Sequence, residues 1–112
     1  MMNLLERFTE TLSTYRRHGW QLRRVLLRPE SRTEINESTA RVFENAPLEE
    51  STVDALWFSR ASHAGREAWE LRLIAETPYA LFETFEADEA EEDREEVRQE
   101  MEARMREYVG RS

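Results

Sequence analysis

The carboxylates of "EADEAEEDREEVRQE", Glu86 to Glu100, are the densest set of potential metal ligands in the chain. A hard cation such as Ca²⁺ needs about 6–8 oxygens around one point. Helical spacing spreads these acids over roughly 200° of a wheel, and no DxDxDG loop occurs anywhere. The run therefore reads as the solvated side of a helix, and neither a metal nor another cofactor is expected.

Other reactive side chains are few. His18 falls at the end of a first helix, where a cation suits the dipole. His63 follows Ser62 in the turn "RASHAGR". A Ser–His dyad needs the imidazole facing the hydroxyl and a third group to orient it, which neighbours in a turn do not provide. Glu83 sits between Leu81 and Phe85 on the expected inward face of a strand, where a carboxylate serves as acid or base or pairs with Arg24 or Arg72. Trp20, Trp57 and Trp69 read as core and sheet packing. With 0 Cys there is no thiolate, and because all 16 basic residues are Arg, lysine-based covalent chemistry has no residue to use. No GxGxxG, Walker, HExxH or GxSxG pattern occurs. No catalytic residue is assigned.

The net charge of -8 is concentrated rather than spread. Eight acids and Arg94 lie between Glu86 and Glu96, whereas Thr11 to Pro29 holds no acid and five arginines. Arg16, Arg17, Arg23, Arg24 and Arg28 on one side, and Glu89, Glu92 and Glu96 on the other, are expected to face partners or each other. The stretch "YRRHGWQLRR" is the best nucleic-acid candidate, since Arg neutralises phosphate and aromatic rings stack on bases. An acidic pI of about 4.9 and the acidic run compete against it.

Positioning these residues falls to a helix, a strand, an ambiguous segment, three strands and a final helix. Met1, Leu4, Leu5, Phe8, Leu12 and Tyr15 form a stripe of about 100°, so residues 1–18 read as an amphipathic helix ended by Gly19. "WQLRRVLLR" (20–28) reads as a strand stopped by Pro29. Residues 29–52 are compatible with a short helix, a strand near 39–44, or an irregular and partly mobile loop. Strands at 52–60, 67–76 and 79–86 have short connections and imply an antiparallel meander. Ala90, Val97, Met101, Met105 and Tyr108 form a core-facing stripe across Arg94, so 90–108 reads as a helix, with Asp88 as its cap.

At 112 residues there is room for one small domain. The expected class is α+β: a two-layer sandwich in which N- and C-terminal helices cover one face of a four- to five-stranded antiparallel meander. In element order alone this is similar to frataxin-like and secretion-chaperone-like small domains, and no motif of either is present. With both helices on one face, Leu56, Phe58, Ile74 and Phe82 lie open on the other, and open apolar patches mark interfaces. The expected function is a non-catalytic protein-interaction module, homodimeric through that face or bound to another protein. The alternative is a small-molecule carrier or enzyme with a pocket between sheet and helices, and nucleic-acid binding through Arg16–Arg28 is third. No signal peptide or membrane span is read, and cysteine-free composition suits the cytoplasm.

Overall fold

The structure, a computed structural model, describes residues 2–111. Met1, read as the head of the first apolar stripe, lies outside them. Asn3 opens helix α1, Leu4–Arg17: its Oδ1 accepts from the Glu6 amide at 2.8 Å, and Glu6 Oε1 accepts from the Asn3 amide at 3.4 Å. This reciprocal pair satisfies two groups that a helix start otherwise leaves unpaired. The expected stop is present, with Gly19 at φ +82°, a conformation that costs glycine little. His18 caps the last turn, its Nδ1 2.8 Å from the Thr14 carbonyl oxygen.

Five strands follow: β1 Gln21–Leu27, β2 Leu48–Glu50, β3 Ala55–Ala61, β4 Glu67–Leu73 and β5 Tyr79–Phe85. They form one sheet in the order β2-β1-β3-β4-β5. The meander of β3, β4 and β5 is antiparallel as expected, and β1 pairs antiparallel with β3. The sheet is nevertheless mixed, because β2 lies parallel to β1. Residues 29–52 carry local structure: α2 Pro29–Arg32, α3 Glu37–Ala40 and a 3₁₀ turn at Arg41–Phe43 lead into β2. This segment is the crossover that a parallel pair requires. Its anchor is Asp54, which is buried and accepts from the Arg28 amide at 2.9 Å, Arg28 Nε at 3.1 Å and Ser31 Oγ at 2.7 Å.

The α+β class and the two flanking helices are as expected, but the helices take opposite faces. Helix α1, with Ile35 and Phe43, covers Val25, Leu27, Leu56, Phe58 and Ile74. The final helix α4, Glu91–Arg111, covers Trp57, Trp69, Leu71, Leu81 and Phe85 with Met101 and Met105. The reason is in β3. Ala55, Leu56, Trp57 and Phe58 are all 0 % exposed, a continuous apolar run of the kind found when both faces of a strand are covered. Burying each large side chain contributes about 1.5–3 kcal/mol, which one layer of helices collects from only half of them. Leu56, Phe58 and Ile74 are thus core residues under α1, not an open interface. Phe82, of that group, remains exposed.

Candidate interaction edge and charged network

Beneath α4 the two charge blocks meet. Their junction begins with a β-bulge in β1: the register with β3 shifts between Leu22 and Arg24. Leu22 packs with the α1-side core. The extra residue, Arg23, lets Arg24 face the α4 side, opposite Trp57. Arg24 pairs with Glu49 at 3.3 Å, Glu95 at 3.4 Å and Glu102 at 3.4 Å. Glu102 also accepts from Trp57 Nε1 at 2.7 Å. Arg98 pairs with Glu91 and, at 2.8 Å, with Glu95, while its guanidinium carbon lies 4.4 Å from the Trp69 ring centre. Arg23 lies over the same ring at 5.5 Å. Burial works to raise the Glu95 carboxyl, but hydrogen bonds from Arg98 and Gln99 and the charge of Arg24 outweigh it, holding Glu95 below the ordinary carboxylate range.

This network corrects several expectations. Arg24 and Arg28 serve internal carboxylates, and Arg16 pairs with Glu44 at 3.5 Å, so these three do not form an open basic patch. Arg17 and Arg23 are exposed. Glu89 accepts from the Glu86 amide at 2.7 Å, tying the connection ahead of α4, whereas Glu92 and Glu96 face solvent. Arg94 completes that connection, with Nη2 donating to the Glu86 carbonyl at 2.7 Å and Nη1 to Glu67 at 2.8 Å. Ala90 is exposed, and the buried face of α4 is Arg98, Met101, Glu102 and Met105. Sequence reasoning missed Arg98 and Glu102 because charged residues are presumed outside. Their signal was position, since both flank Met101 and lie one turn apart. Among the described residues, no group of three or more metal-ligating side chains converges.

The remaining chemical candidates are dispersed. His63 is exposed in a 3₁₀ turn, and Glu83 shares the α4-side face of β5 with Leu81 and Phe85 but is exposed there, with Oε1 accepting from the Thr84 amide at 3.3 Å. On the α1 side, the Tyr15 hydroxyl donates to Glu70, and its ring stacks on Phe58 at 4.1 Å. Burial, with the bond to Glu70 adding to it, pushes the Tyr15 hydroxyl up to about 12. Trp20 lines an open groove of about 520 Å³ with Arg16, Leu22, Arg23, Phe43 and Pro47.

The two edges of the sheet differ sharply. The β2 edge is three residues long and carries Glu49 and Glu50, features that deter pairing. The β5 edge runs for seven residues, "YALFETF". Val25 donates its amide toward the β2 side, to the Pro47 carbonyl at 2.9 Å. Antiparallel alternation carried across the sheet from there turns the amides and carbonyls of Ala80, Phe82 and Thr84 outward. The side chains of these three share the α1 side, beyond the reach of α1. Phe82 is 58 % exposed, and among the described residues no other large apolar side chain is so open. Its ring meets the edge of buried Trp20 at 6.4 Å, and Trp20 is itself held under Arg60 at 4.5 Å.

Comparison with protein-family models, with curated proteins and with solved structures gives no significant match.

Proposed function

We propose that this protein is a non-catalytic protein-interaction module that binds an extended strand of a partner along β5. One observation carries the reading: a seven-residue strand edge with outward backbone groups and an exposed Phe82 beside them. Strand addition draws affinity from main-chain hydrogen bonds and specificity from side chains on alternate positions. Phe82, braced by Trp20, is the apolar anchor, flanked by the smaller Ala80 and Thr84. Helices α1 and α4 cover the two faces and the β2 edge is short and acidic, which leaves β5 as the edge open to an incoming strand. The cysteine-free composition suits a reducing compartment, and we place the module in the cytoplasm.

Selection of displayed nine-residue peptides on the wild-type protein, counter-selected on Phe82→Asp, tests this directly. Enrichment of peptides alternating apolar and polar residues, with binding lost in Phe82→Asp and in Thr84→Pro, is the expected result. Thr84→Pro removes one outward amide and leaves the bonds to β4 in place. Failure to enrich any peptide that distinguishes wild type from both variants would remove the proposal.

A further inference from the structure

Resting on that reading of the β5 edge, we infer that its occupant is a second copy of this chain, paired antiparallel about a twofold axis at Phe82. Three features of β5 and its surroundings point to this partner.

The first is register. Outward residues pair with outward residues, so a twofold at Phe82 sets Phe82 against Phe82 of the second copy and Ala80 against Thr84. All three outward residues of each strand are then bonded, about six hydrogen bonds across the axis. On the α4 side, Leu81 meets Glu83 and Tyr79 meets Phe85, an aromatic pair with no like charges opposed. Sliding by two residues toward the C-terminus sets Glu83 against Glu83. Sliding the other way brings Pro78, which has no amide to donate, to the edge.

The second is charge. Tyr108 stacks on Tyr79 at 3.7 Å while Arg94 lies over Phe85, so α4 runs antiparallel to β5 on its own face. The twofold that exchanges the ends of β5 also exchanges the ends of α4. The acidic beginning of one helix, with Asp93 and Glu96, comes toward the end of the other, where Arg104 and Arg111 outnumber Glu107, while Arg106 lies on the far side against Glu102 and Glu50. Opposite poles meet twice.

The third is closure. Pairing consumes both β5 edges, and the remaining β2 edges are short and acidic, so assembly stops at two copies with a continuous ten-stranded sheet. Glu83, bonded to the Thr84 amide in the single chain, releases it to the second copy.

The chain has 0 Cys, which permits a clean cross-linking test. Ala80→Cys and Thr84→Cys proteins are oxidised separately and as an equal mixture, alongside light scattering of the wild type from micromolar to millimolar concentration. The expected result is a wild-type mass of twice 13.4 kDa, with a disulfide-linked pair formed only in the mixture. Such partners lie about 5.5 Å apart at Cα, within disulfide reach. Phe82→Ala is expected to raise the dimer dissociation constant at least about tenfold, and Thr84→Pro to leave monomer. Three results overturn the inference: a wild-type monomer throughout, cross-linking of either cysteine protein with itself, or a dimer whose mixture does not cross-link. If the wild type is monomeric while displayed peptides still bind the edge, self-pairing fails and the interaction module stands.

Discussion

At the residue scale, the charges that matter are those the sheet and α4 enclose. Glu102 is the acceptor for Trp57 Nε1 and one of three carboxylates around Arg24. Glu102→Ala leaves the buried indole donor unmet, a loss of about 1–3 kcal/mol in urea or guanidinium unfolding. Glu102→Gln keeps an oxygen there and is expected to lose less. Arg98 behaves differently. Its Nη1 is buried without a partner, and its carboxylates, Glu91 and Glu95, reach solvent. Removing one partner of a buried ion pair is costly when the other charge stays buried, but Glu91 and Glu95 can be solvated once Arg98 is gone, and a methionine fills the same apolar space. Arg98→Met is therefore expected to unfold within about 1 kcal/mol of wild type, or later; a loss as large as that of Glu102→Ala would contradict this. Two groups also set a pH window. Glu95 titrates lower in the folded chain than when unfolded, so its contribution is full above the unfolded carboxylate value and is lost as pH falls through the folded one. Tyr15 is raised to about 12, so its contribution holds below the ordinary tyrosine value near 10 and is lost as pH climbs toward 12. Denaturation profiles should fall at both ends, with Glu95→Gln flattening the acid limb and Tyr15→Phe the alkaline one.

At the element scale, local signals were readable wherever a segment followed one period. The α1 stripe, the Gly19 stop and strands β1, β3, β4 and β5 all stand close to where spacing put them. Gly19→Ala tests the stop: nothing lies within 4 Å of an added Cβ, so only the left-handed backbone resists it. A loss of about 1–2 kcal/mol in thermal or chemical unfolding is expected. What stayed hidden depended on contacts distant in sequence. The first turn of residues 29–52, Pro29–Arg32, is held by Asp54, which lies beyond the segment itself, and the parallel pairing of β2 rests on β1. The bulge at Arg23 exists only in register with β3, and without it Arg24 would share the face of Leu22. Assignment of α4 to the second face was legible in β3, where Leu56 and Phe58 alternate with Trp57 and leave no polar side. The candidate site was legible only as Phe82, since which strand forms an edge follows from sheet order and not from the β5 sequence.

At the scale of the whole molecule, the segregation of charge that suggested external partners is largely spent internally. Arg24 reaches Glu95 and Glu102 on α4, so opposite blocks in sequence become neighbours in space. Helix α4 is thereby fastened along its length, by ion pairs from Glu91 to Glu102 and by Met101, Met105 and the Tyr79–Tyr108 stack. No helix among the described residues is long and apolar enough to cross a membrane. What remains outward-looking is a lopsided sheet, blunt at β2 and open at β5, flanked by a helix with unlike ends. The most direct measurement is amide hydrogen exchange of Ala80, Phe82 and Thr84 in dilute and concentrated protein. Pairing at the β5 edge predicts that these three amides are protected together wherever the dimer forms and lose that protection together on dilution below its dissociation constant, while exposed amides of the β2 edge exchange freely throughout. Fast exchange at all three even in concentrated protein would contradict it.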